Sequence, residues 1–188
     1  MNDGEFIRGY LGDLGGVLAG LDTAKIAKAV EWLREVRDGG KTIYACGNGG
    51  SAAIASQMVT DIVKAASYGR KKRIKMINLA DLFGTVTAYA NDVSYESVFV
   101  EPLRNFAEAG DVLIAISGSG NSANVLRAVE YANSIGCGTI GMTTREGGKL
   151  REICGLALEA PGKHMGRLED SFFVMSHILC YILMEEKD

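Results

Sequence analysis

The chain has 188 residues, 47% of them hydrophobic and 23% charged, which is the size and make-up of one α/β domain able to bury its own core. Its formal charge of −3 offers no bulk attraction to nucleic acid or an anionic membrane, and no stretch approaches the ~18 apolar residues of a membrane span. The first six residues lack the basic and apolar regions of an export signal. Cys46, Cys137, Cys154 and Cys180 are scattered without a C-x-x-C pair, so they read as reduced core thiols of a cytoplasmic protein. The departure from average is glycine, 24 residues against a usual ~7%, beside 2 prolines. The abundance of Ile, Leu, Val and Ala excludes disorder as its cause.

Residues 5–38 read as two helices. Ile7, Tyr10, Leu14, Val17 and Leu21, then Ile26, Val30, Leu33 and Val36, recur at three- and four-residue steps, and Asp22 or Thr23 caps the second helix. Gly9, Gly12, Gly15 and Gly16 weaken the first helix by roughly 1 kcal/mol each. It is either a loose N-terminal helix or one held by packing in an oligomer. From Lys41 short apolar runs at 42–46, 74–79, 111–116, 138–143 and 155–160 alternate with helical patterns at 51–66, 122–135 and 168–185 and a shorter element near 95–107. That alternation predicts an α/β fold, a parallel sheet covered on both faces. The basic run Arg70-Lys71-Lys72-Arg73 reads as a solvated loop, and His164 falls in an irregular segment.

Two strand ends carry ligand-type punctuation: Gly47-Asn48-Gly49-Gly50-Ser51 and Ser117-Gly118-Ser119-Gly120-Asn121-Ser122, each before a helix. Ligands of open parallel sheets bind beyond the carboxyl ends of the strands, where glycines admit an anion to backbone N–H groups and serines add donors. A phosphorylated ligand suits the second turn. The plainer alternative makes Ser122 an ordinary N-cap and the glycines simple turn residues. There is no G-K-[ST] and no G-x-G-x-x-G at the first strand, so no nucleotide cofactor is expected. Gln57 and Asp61 lie four apart on one helix face; Glu169 and His177 lie eight apart, roughly 80° round from one another. Asp61 taken alone reads as a solvated acid rather than a ligand. His177, inside an apolar helix expected to be largely buried, reads equally as a hydrogen-bonded core histidine.

The segments Gly47–Ser51, Ala90-Asn91-Asp92, 116–124 and the His177 helix, in this order and spacing, resemble the sugar isomerase (SIS) family, and within it the phosphoheptose isomerases. The resemblance implies a five-stranded parallel sheet flanked by helices, a flavodoxin-like three-layer sandwich at 41–188, with an N-terminal helix pair at 1–40 assembling a homotetramer whose active sites are shared between subunits. It implies an enzyme turning sedoheptulose 7-phosphate into D-glycero-D-manno-heptose 7-phosphate, with no nucleic-acid or membrane partner. Asn48, Gly49, Gly50, Ser51, Asn91 and Asp92 would face the sugar. Ser117, Gly118, Ser119 and Ser122 would hold the phosphate, Asp61 would act as base, His177 as acid, and Glu169 would orient the substrate. A divalent metal, zinc in some members, would be held by Gln57, Asp61, Glu169 and His177. Three of those four positions differ from the family pattern of His, Glu, Gln and His, so the pocket is more acidic and suits a harder ion. The open alternatives are isomerisation of another sugar phosphate, or a non-catalytic SIS tetramer that senses sugar phosphate or binds protein.

Overall fold

The computed structural model describes residues 2–186. Helices α1 (Asp3–Ala19) and α2 (Thr23–Asp38) lead into β1 (Thr42–Gly47) and α3 (Gly50–Thr60), then β2 (Lys75–Asn78), α4 (Phe83–Asp92) and α5 (Val100–Phe106). There follow β3 (Val112–Ile116), α6 (Ala123–Ser134), β4 (Gly138–Thr144), α7 (Gly148–Ile153), β5 (Leu156–Ala160) and α8 (Met165–Glu185). The five strands are parallel in the order β2-β1-β3-β4-β5, so the expected fold class holds.

Strand alternation divides the core. Ile43, Ala45, Ile114 and Ile116 point to one face under α2, α3 and α8, while Tyr44, Cys46, Leu113 and Ala115 point to the other under α5 and α6. The apolar stripe read on α2 is its core face: Ile26, Val30, Leu33 and Val36 are all buried, and Asp22 caps the helix by accepting from the N–H groups of Ala24 and Lys25. α1 starts earlier than the apolar spacing suggested, because Asn2 and Glu5 form a reciprocal capping box. Its one buried residue is Val17.

Two helices escaped the sequence reading. α7 is only six residues long, and α4 has no buried residue, so neither presents an apolar stripe. After Thr60, α3 widens into a π turn at Asp61–Ala65, marked by the Ala66 N–H reaching back to the Asp61 carbonyl at 2.8 Å. Such turns favour functional positions. Among the described residues no helix is long and apolar enough to cross a membrane.

Candidate active site

The two glycine-rich turns meet over the carboxyl ends of β1 and β3 and line one open cleft. In the second turn the Ser117 hydroxyl lies 3.3 Å from that of Ser122 and 3.5 Å from that of Ser119. The Gly120 N–H donates to Ser117 Oγ at 3.2 Å. Ser122 occupies the N-cap of α6, yet its side chain makes no capping hydrogen bond. Its hydroxyl faces Ser117 instead, so it is not an ordinary side-chain cap. Gly120 has φ +66°, and a side chain there would stand 2.4 Å from the Gly147 carbonyl oxygen, so the turn admits no other residue without strain.

Gly49, Gly50 and Ser51 line the cleft from the first turn, at the start of α3. Glu169, from the first turns of α8, closes over them: a Cβ on Gly50 would lie 2.2 Å from Glu169 Oε1. Asn48 also lines the cleft, but its amide is braced within the protein. It pairs reciprocally with Asn124 at 2.8 and 3.0 Å and accepts the Tyr95 hydroxyl at 2.8 Å. The bracing roles of Asn124 and Tyr95 had no sequence signal, since both depend on long-range contact. Asn91 and Asp92 stand outside the cleft, exposed at the end of α4, where the Asn91 amide donates to Asp92 at 2.7 Å.

A second constellation forms where α3 becomes the π turn. Gln57 Nε2 donates to Asp61 Oδ1 at 3.1 Å, and His177 Nε2 stands 3.6 Å from Asp61 Oδ2. Asp61 is 7% exposed and its Oδ2 is buried without a hydrogen-bond partner, so it is not the solvated acid of the plainer reading. His177 departs from expectation. Its side chain is 48% exposed, because α8 turns Leu168, Phe172, Met175, Leu179 and Leu183 to the core and leaves His177, Ile178, Tyr181 and Ile182 outward. The His177 ring lies against Tyr181, centroids 5.8 Å apart. Burial, aided by the nearby Asp61 charge, pushes the Cys180 thiol up to about 12.

Glu169 does not join this group. Sharing a side of α8 is not enough, since eight residues of helix separate it from His177 by ~12 Å along the axis. Among the described residues no three of His, Cys, Asp and Glu gather closely enough to hold a metal ion. One chain therefore assembles Gln57, Asp61 and His177, and the four-donor metal set does not fit within it. The same arithmetic places Asp61 ~15 Å along α3 from Ser51, so the serine cleft and the Asp61–His177 pair are separate in one chain.

A three-layer parallel sandwich with a serine-rich phosphate-type turn after its central strand defines the class of sugar isomerase domains. Residues 10–144 match the SIS domain family, and the chain belongs to it. Its relatives place it more narrowly: the phosphoheptose isomerase of a Nitratiruptor species is 39% identical over 145 residues, 77% of each chain. The structure of phosphoheptose isomerase from Neisseria gonorrhoeae superposes with a TM-score of 0.88 at 26% identity, covering 97% of this chain and 99% of that one. That of a phosphoheptose isomerase from Francisella tularensis, at 24% identity, shares the fold with a TM-score of 0.92 over 99% of this chain and 100% of its own.

Proposed function

We propose that the chain is a phosphoheptose isomerase, converting sedoheptulose 7-phosphate to D-glycero-D-manno-heptose 7-phosphate through an enediol. The observation that carries this reading is the Asp61–His177 pair, a buried and unpartnered carboxylate oxygen 3.6 Å from an imidazole nitrogen. A sensor or protein-binding module has no use for that pair, whereas isomerisation does. Asp61 takes a proton from C1 and returns one to C2, while His177 moves a proton between the oxygens on those carbons. Ser117, Ser119 and Ser122, with the start of α6, hold the phosphate and supply binding energy remote from the reacting carbons. Asn48 and the Gly49–Ser51 backbone face the sugar.

Because the cleft and the pair are ~15 Å apart in one chain, the reading includes a second copy. The outward face of α8 and the exposed Phe6, Ile7 and Leu11 of α1 supply the apolar surface for a homotetramer. In it Glu169 of one copy stands beside Gln57, Asp61 and His177 of another, and Asn91 and Asp92 reach a neighbouring site. A divalent metal belongs to the proposal only in that shared arrangement, where it would polarise the sugar's carbonyl oxygen. Metal content of the purified oligomer checks it.

The deciding experiment is NMR of a panel of ketose phosphates in deuterated water, with and without added divalent metal. Exchange at C1 and formation of the aldose from sedoheptulose 7-phosphate are expected. Binding without exchange would overturn the enzyme reading in favour of a sensor. Gln57, Asp61 and Glu169, which depart from the family pattern, favour a second reading in which the same chemistry acts on another sugar phosphate. Faster turnover of a different ketose in the panel would establish it.

A further inference from the structure

The first turns of α8 have two working sides. Outward, Met165 and Glu169 line the cleft: Met165 Sδ lies where a Cβ on Gly118 would be 2.7 Å away, and Glu169 closes over Gly50. Toward α1, Arg167 and Asp170 both meet Tyr10. The Tyr10 hydroxyl donates to Asp170 Oδ2 at 2.6 Å, a charge-assisted bond. The Arg167 guanidinium lies 4.8 Å over the Tyr10 ring and pairs with Asp13 at 3.0 Å. His164, at the N-cap of α8, sits edge-on to the same ring with centroids 5.8 Å apart. A Cβ on Gly166 would come within 2.9 Å of the Tyr10 hydroxyl, so the close approach depends on that glycine.

The start of α8 has no side-chain cap among the described residues. His164 makes no side-chain cap bond, and the residues before it form an irregular connection from β5. A helix start without a cap frays unless tertiary contacts hold it. Fraying here would move Met165 and Glu169, the two side chains that α8 contributes to the cleft.

We propose that Tyr10 is a positioning residue for the cleft: by clamping Arg167 and Asp170 it holds the start of α8 so that Glu169 and Met165 stand against the glycine turns. This assigns α1 a part in ligand binding beyond assembly. The functional half of the inference rests on the cleft being the sugar-phosphate site; the structural half does not. The hydrogen bond to Asp170 also raises the Tyr10 phenol above its ordinary value, which keeps the donor proton in place.

The test is Tyr10→Phe, which keeps the ring and removes only the hydroxyl, made in the full chain and combined with Glu169→Ala. Hydrogen exchange in the peptide 164–170 should speed up about tenfold in Tyr10→Phe, with the sheet and α6 unchanged, because a charge-assisted bond is lost. For sedoheptulose 7-phosphate, kcat/KM should fall about tenfold on the wild-type background and less than twofold on Glu169→Ala, since coupled residues are non-additive. Unchanged exchange at 164–170 would overturn the clamp. Equal losses on both backgrounds would overturn its action through Glu169 and leave Tyr10 a packing residue. Should the wild-type protein turn over no sedoheptulose 7-phosphate, the proposed function falls and the exchange result still decides the clamp.

Discussion

Asp61→Asn separates the chemistry of this protein from its stability. The side chain is 7% exposed; Gln57 donates to Oδ1, while Oδ2 has no hydrogen-bond partner and faces His177 Nε2 at 3.6 Å, so the carboxylate is held largely out of water. The amide is nearly isosteric, keeps an oxygen for Gln57 and carries no charge, so the melting temperature should stay the same or rise. A positioned general base contributes ~10²–10⁴-fold, so kcat should drop by that factor, about 3–5 kcal/mol of barrier. The serines hold the phosphate, remote from the carbons that Asp61 serves, so the dissociation constant for sugar phosphate should change less than about threefold. Steady-state kinetics, calorimetric titration and thermal melting on one preparation measure all three. Turnover within about threefold of wild type would refute the assignment of Asp61 as base. A fall in melting temperature of several degrees would refute the view that its charge is a burden on the fold.

Replacing Ser117 and Ser122 together by Ala should raise KM for the sugar phosphate by ~10²- to 10⁴-fold with kcat little changed, because hydrogen bonds to a charged group are worth ~1.5–3 kcal/mol each; equal losses in kcat would contradict a purely binding role. Tyr181→Glu places a charge on the outward face of α8 and should dissociate the oligomer by light scattering and abolish turnover together; an active monomer would exclude a shared site. Burial raises Cys46 and Cys180 to about 12 and Cys137 to about 11, so these three thiols of the native protein should react only slowly with alkylating reagents at pH 8. Because these thiols keep their protons in the fold, their contribution to stability is complete below the ordinary thiol value of 9.0 and is lost as pH rises from there through about 11–12, read as falling stability in alkaline denaturant titrations.

Local chemistry in the sequence determined the alternation of strands and helices, the core stripe of α2 and the two ligand-type turns. Periodicity and glycine spacing are properties of neighbours in the chain, and Ser117–Ser122 carries its serines within six residues. α4 left little to read because it has no fully buried residue and meets the core only through the half-buried Val86 and Tyr89, too few to mark a period. Only the tertiary structure decided that the two turns share one cleft, since that follows from β1 and β3 being neighbours in the sheet. It also decided that Asp61 is buried beside His177, that His177 faces outward, and that Glu169 belongs with Gly50. A helical wheel reports angle but not distance along the axis, so Glu169 and His177 share a side in sequence while standing ~12 Å apart in space.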